Sequence, residues 1–238
     1  MLVFAYDGSL NGDWVAHYAV RFAANTAARK LRLVHITDAS PASSLDARIA
    51  RIADESKVFG VVLETELVPR RGASVAERLL EIVPERATLI AGTRAKPRNR
   101  AFLAGTVSAR LLEAGRCSVI AMRVVHPGVL GQPGSVLLPI AGRPHQAALA
   151  LPLLRLLGED LQRLHLLFVR EVSSLRFRLM SPEGAEKLRA DGHALLAPIE
   201  ESSALAWLHT ALSSTRASSS PTMRPKKYCC ARTSTARA

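Results

Sequence analysis

The sequence predicts an α/β protein with a doubly wound, five-stranded parallel sheet, repeated as an incomplete second copy. Three observations support this prediction. Short apolar runs alternate with helical patterns over the first 125 residues, and a loop with glycine near both ends follows the fourth run. A second set of similar apolar runs begins after residue 134.

Continuous apolar runs are typical of parallel strands that are covered on both faces. Such a run occupies residues 2–6, and segments rich in apolar residues at 31–36, 61–68, 88–91 and 118–125 predict four further strands. Apolar residues at helical spacing predict helices between them, at about 12–29, 43–58, 74–83 and 107–114. Ser74, followed by Glu77 three residues later, predicts a capping box at the third helix. Strands that alternate with helices predict one parallel sheet with right-handed crossovers.

The second half of the chain resembles the beginning of the first. Residues 136–142 align with residues 2–8, and residues 164–169 align with residues 31–36. We therefore predict four regions. They are a complete first α/β domain (1–125), a linker (126–134), a diverged second copy (135–212), and a disordered tail rich in Ser, Thr and basic residues (213–238).

The net charge of +12 at first suggests a nucleic-acid partner. Half of the excess lies in the tail, which has six basic residues and no acidic one, so we do not expect nucleic-acid binding. The three cysteines, Cys117, Cys229 and Cys230, form no CxxC pair, and no apolar run is long enough to span a bilayer. We expect a cytoplasmic protein with neither disulfides, zinc nor membrane contact.

The loop between the fourth strand and the next helix carries the chemistry. It begins with Gly92-Thr93-Arg94-Ala95 and, after nine residues, ends with Gly105-Thr106. Glycines let backbone amides approach an anion, and a helix N-terminus attracts negative charge. Thr106 adds a hydroxyl, and four basic residues lie nearby: Arg94, Lys96, Arg98 and Arg100. The pattern predicts a phosphate site.

This spacing closely resembles the G-x2-G-x9-G-[S/T] signature of the ATP-binding universal stress proteins. Residues 6–9 (Tyr-Asp-Gly-Ser), 33–36 (Leu-Val-His-Ile) and 117–123 resemble further segments of that family. The resemblance covers residues 1–125 and part of 134–170. It implies the strand order 3-2-1-4-5 and a stress-response regulator that binds ATP, alone or with Mg²⁺.

The resemblance also implies the contacts. Asp7 matches the acidic residue on the ribose and adenine side, and Ile36 matches the position whose backbone pairs with adenine. Gly92, Gly105 and Thr106 match the phosphate loop, whereas Ala95 replaces its second glycine. In the second copy, Ala141 replaces the acidic residue and the loop is missing, so we expect no nucleotide there.

Ala95 leaves a second interpretation open, in which the chain is an adaptor that binds no nucleotide and acts through an unknown protein partner. A third is an ATP-hydrolysing or adenylating enzyme of a related α-hydrolase-like fold. Because the sequence shows no nucleophile–base pair, paired carboxylates or metal-ligand cluster, we do not expect an enzyme, although incidental ATPase activity stays open. We interpret His35 as a packed structural residue.

The family pairs its fifth strand across a dimer. The resemblance therefore implies a homodimer through the fifth strand, whose apolar residues begin at Val119 and end at Val125.

Overall fold

The computed structural model of this chain describes residues 1–37, 43–93, 107–126, 130–141, 150–169 and 179–215. Chain contacts divide it into two compact units, Met1–Gly131 and Gln132–Ala238.

The first unit contains one five-stranded parallel sheet in the order β3-β2-β1-β4-β5. This arrangement confirms the predicted α/β class and strand order. The strands are β1 (Leu2–Ala5), β2 (Lys30–Thr37), β3 (Val62–Pro69), β4 (Thr88–Gly92) and β5 (Ser118–Met122).

Helices connect the strands and cover the sheet. They are α1 (Leu10–Ala24), α2 (Ser43–Val58), α3 (Val75–Ile82) and α4 (Val107–Ala114). On one face, Val3, Val34 and Leu89 pack in a buried cluster with Leu79 of α3 and Leu111 of α4. The side chains of neighbouring residues on each strand point to the opposite face.

The caps and ends of several elements follow from local sequence. Ser74 and Glu77 form the predicted capping box, in which each side chain accepts a hydrogen bond from the other residue's backbone. The helix predicted at residues 107–114 has the bounds of α4.

Two predicted ends were wrong. The helix predicted to continue to residue 29 ends at Ala24, because the Thr26 hydroxyl donates to Ala23 O at 2.7 Å and Arg29 adopts a left-handed φ of 45°. The fifth strand ends at Met122 rather than Val125. Its neighbour β4 ends at Gly92, and the last bond between the two runs from Thr93 N to Met122 O at 2.8 Å.

The second unit contains a two-stranded parallel sheet, β6 (Ser135–Ala141) and β7 (Arg163–Val169). Between the strands lie α5 (Leu151–Leu157) and a 3₁₀ turn, Gly158–Asp160. The helix α6 (Pro182–Thr215) follows, so the first three residues of the predicted tail are helical, and residues 216–238 lie outside the described residues.

Candidate functional site

The sheet of the first unit has a topological switch point between β1 and β4. From β1 the chain passes through α1 to β2, whereas from β4 it passes through α4 to β5 on the other side. Because these connections leave in opposite directions, a crevice opens outside the carboxyl ends of β1 and β4. Ligands of open α/β sheets bind in such crevices.

Asp7 lies at this crevice, two residues beyond the end of β1, and is exposed. Its Oδ1 accepts hydrogen bonds from Ser9 N at 3.0 Å and Ser9 Oγ at 2.6 Å. Ser9 is the N-cap of α1, where its Oγ accepts from Gly12 N at 3.0 Å. Between them Gly8 has a φ of +70°, which glycine adopts without strain. The Asp7 carboxylate is therefore held beside the N-terminus of α1.

Gly12 allows this close approach. A Cβ at position 12 would lie 2.5 Å from Asp7 Oδ1 and 3.1 Å from the Tyr6 ring. Real Cβ atoms do not tolerate the first of these distances, so any larger residue would move the Asp7 carboxylate.

A partly buried polar cluster lies next to the site and links Tyr6, Asp13 and Arg48. The Tyr6 hydroxyl donates to the Asp13 carboxylate on α1, and Asp13 also pairs with the Arg48 guanidinium on α2. Burial, together with the bond to Asp13, raises the pKa of Tyr6 well above its ordinary value, so the phenol stays neutral and keeps donating. Sequence reasoning missed this cluster because its members lie on three different elements.

Strand β2 contributes His35 and Ile36 next to the crevice. The Nδ1–H of His35 donates to Tyr6 O at 2.8 Å, which joins the ends of β2 and β1. His35 is half-buried, and Ile36 packs against the cluster beneath α3 and α4. By the register of β1 and β2, in which Ala5 pairs with Val34, Ile36 lies beside Asp7.

Gly92 brings two helix N-termini to the end of β4. A Cβ on Gly92 would lie 3.1 Å from Asn11 Nδ2 in the first turn of α1. The carbonyl of Gly92 accepts a hydrogen bond from Ser108 Oγ, in the first turn of α4, at 3.2 Å. The positive ends of both helix dipoles therefore lie at the switch point, where they favour an anion.

Thr93 follows Gly92 directly and has an unusual environment. Its side chain is buried, with 2% exposure, yet Oγ1 has no hydrogen-bond partner in the described part of the chain. Sequence reasoning treated Thr93 as a spacer within the glycine motif. One signal for this role was present in the sequence, which is that a polar residue directly follows Gly92 at the end of β4.

The structure thus brings Asp7, Ile36 and Gly92 to one edge of the sheet. The other predicted contacts, Ala95, Gly105 and Thr106, and the basic residues between 94 and 100 lie outside the described residues. Within the described ranges, no three His, Cys, Asp or Glu side chains group as metal ligands, and no helix is long and apolar enough to cross a membrane.

Comparisons with known proteins give one kind of match. No protein-family model matches the chain, and no curated protein matches its sequence. Among solved structures, the chain is similar to a universal stress protein crystallised in complex with cAMP. The two are 21% identical with a TM-score of 0.40, and the match covers 51% of this chain and 94% of that chain. The fold assignment rests on the strand order and connections described above.

Proposed function

We propose that the first unit binds an adenine nucleotide in the crevice between β1 and β4, and that the protein acts as a nucleotide-dependent regulator in the stress response. The observation that carries the proposal is the placement of the α1 and α4 N-termini on either side of Gly92 at the switch point. Two positive helix ends at one crevice favour a phosphorylated ligand over a neutral one.

Each contact has a role in this proposal. Asp7 bonds the hydroxyl groups of the ribose, and the backbone of Ile36 pairs with the base, as the sequence resemblance implies. Gly92 admits the phosphates close to the backbone, while Gly105 and Thr106 complete the loop. ATP, alone or with Mg²⁺, is the proposed ligand. Binding changes a surface that a protein partner recognises in the cytoplasm, and turnover of ATP is not its purpose.

The first test identifies the ligand directly. Freshly purified protein is denatured, and released nucleotide is identified by mass spectrometry. ATP, ADP, AMP, cAMP and adenosine are then titrated by calorimetry, with and without Mg²⁺. We expect recovered adenine nucleotide or a micromolar dissociation constant. A folded protein that releases no nucleotide and gives no heat would contradict the proposal and favour the adaptor, which Ala95 in place of a loop glycine also favours.

A matched pair of variants locates the site. Asp7→Asn keeps an oxygen that can accept from Ser9 but removes the charge, so we expect about a tenfold loss of nucleotide affinity. Asp54→Asn is the control, because Asp54 forms an exposed ion pair with Lys57 on α2. Equal affinities of the two variants would exclude Asp7 from the site.

We also propose that β5 forms a homodimer contact, because among the described strands it pairs only with β4 and so lies at the edge of the sheet. Ser118 N bonds Ala87 O, and N–H groups alternate in direction along a strand, so the N–H of Ala121 points away from β4. Ala121→Pro should therefore leave the β4–β5 ladder intact while disrupting edge pairing. Sedimentation should show a dimer for the unmodified protein and a folded monomer for the variant. A monomeric unmodified protein at tens of micromolar would refute the contact.

A further inference from the structure

Thr93 holds a hydroxyl that the described protein does not use. Its backbone N–H donates to Met122 O at 2.8 Å and so continues the β4–β5 ladder, but its buried Oγ1 has no hydrogen-bond partner among the described residues. A desolvated hydroxyl without a partner costs free energy, and such groups are rare in native structures. The Thr93 hydroxyl would therefore be stabilised by a hydrogen-bond partner from outside the described residues.

The side chain points towards the face where α4 begins. Leu89 and Ala91 of β4 pack in the same buried cluster as Leu111 of α4. Because side chains alternate along a strand and Thr93 continues the ladder, its side chain points to that same face. The bond from Ser108 Oγ to Gly92 O anchors the first turn of α4 directly beside it.

We propose that Thr93 Oγ1 donates a hydrogen bond to a phosphoryl oxygen of a ligand held at the N-terminus of α4. This inference rests on the proposed nucleotide function and deepens it. It assigns phosphate recognition to a residue other than Gly92, Gly105 and Thr106. The helix end supplies the electrostatic attraction, and the hydroxyl supplies a directed donor. The ligand class is a nucleotide with at least one phosphate, in preference to a nucleoside.

The test compares Thr93→Val, which keeps the shape and removes the hydroxyl, with Thr93→Ser, which keeps the hydroxyl. For Thr93→Val we expect about a tenfold or larger loss of ATP affinity by calorimetry, because a bond to a charged group is lost. The loss should be much smaller for adenosine, and Thr93→Ser should retain most of the ATP affinity. Thermal unfolding without ligand should show Thr93→Val equal to or more stable than the unmodified protein, since it removes an unsatisfied polar group.

The outcomes separate the two proposals. If the unmodified protein binds no nucleotide, both proposals fall. If it binds ATP and Thr93→Val binds equally well, or loses ATP and adenosine affinity to the same extent, only the role of Thr93 falls. If ligand-free Thr93→Val is less stable, the hydroxyl has a partner within the protein itself, and the role of Thr93 is overturned whatever the affinities.

Discussion

The two units of this chain begin with the same arrangement and differ in what flanks it. β1–α1–β2 and β6–α5–β7 are both strand–helix–strand units with parallel strands. Leu2 pairs with Leu31, and Val136 pairs with Leu164, which are the residues that the sequence alignment of the two halves places at equivalent positions. In the first unit β1 also pairs with β4, whereas in the described part of the second unit β6 pairs only with β7.

That difference decides where a ligand site can form. A switch point needs connections that leave in opposite directions from two adjacent strands, so it depends on β4 as much as on β1. In the alignment Asp7 and Tyr6 correspond to Ala141 and Ile140, so the second unit also lacks the polar residues at the strand's end. A strand–helix–strand unit alone therefore does not provide such a switch point.

The largest expected effect concerns a core residue of the first unit, compared with an exposed strand residue of the second unit. Leu89→Ala removes a fully buried side chain from β4 and should lower the free energy of unfolding of the first unit by about 2–5 kcal/mol. Leu137→Ala removes a side chain on β6 that is 57% exposed, and it should change the free energy of unfolding of the second unit by less than about 0.5 kcal/mol. Urea unfolding followed by tryptophan fluorescence measures each unit separately, with Trp14 on α1 as the reporter of the first unit in a Trp207→Phe background and Trp207 on α6 as the reporter of the second unit in a Trp14→Phe background. Similar losses for both variants would contradict the comparison.

Tyr6 also distinguishes the two units, because the second unit has Ile140 at the equivalent position. Tyr6→Phe removes the donor to Asp13 and should lower the free energy of unfolding by about 1.5 kcal/mol. The folded-state pKa of Tyr6 is raised, so its contribution is complete below the unfolded pKa of about 10 and is lost as the pH rises further.

Unfolding free energies measured from pH 8 upwards check this prediction. We expect the unmodified protein to lose stability more steeply above about pH 10 than Tyr6→Phe does. Parallel curves for the two proteins would show that Tyr6 is not the group responsible.

Gly12 tests how the site depends on close packing. In Gly12→Ala the new Cβ would overlap Asp7 Oδ1, so the carboxylate must move, and we expect about a tenfold loss of nucleotide affinity. Stability should change little, because alanine favours the helix by roughly 0.5–1 kcal/mol and offsets part of the clash. Gly72→Ala is a control for glycine replacement, since its Cβ would meet nothing within 4 Å, although its φ of +78° makes alanine strained there. Unchanged affinity in Gly12→Ala would show that Asp7 needs no fixed position.

The smallest effect concerns α3, a helix for which the described second unit has no equivalent. Ser74→Ala removes the N-cap and should cost about 1 kcal/mol of stability, whereas Ser74→Thr should retain most of it. The hydrogen bonds with Ser74 lower the pKa of Glu77, so the contribution of Glu77 is present above its ordinary pKa of 4.5 and is lost as the pH falls. Acid unfolding of Ser74→Ala should begin at the same pH or higher, and a lower onset would contradict the capping box.

Sequence patterns predicted the strands and helices of the first unit because each carries its own signal. The apolar runs at 31–36 and 88–91 and the cap at Ser74 are local features. The apolar pattern did not show where α1 ends, because the helix end depends on the bond from the Thr26 hydroxyl to Ala23 O and on the left-handed backbone of Arg29, inside an alanine-rich segment. It also did not show where β5 ends, since that depends on where its neighbour leaves the sheet.

The candidate site was predictable only in part, for the same reason. Asp7 lies just after β1 and Gly92 ends β4, and both belong to motifs that can be recognised in the sequence. The isolated hydroxyl of Thr93 and the cluster of Tyr6, Asp13 and Arg48 depend on which groups meet after folding. Hydrogen-bond satisfaction is a property of the tertiary structure, and no spacing rule encodes it.

Because Gly92 has no side chain, the first turn of α1 can lie close to the end of β4, where α4 also begins. The fields of the α1 and α4 termini add only over short distances, because each decays within about one turn. A methyl group at position 92 would lie 3.1 Å from Asn11 Nδ2, so the Asn11 amide in the first turn of α1 would have to shift by a few tenths of an ångström. The absence of a side chain at Gly92 thus lets the first turn of α1 approach the end of β4 closely, and this proximity involves no charged side chain.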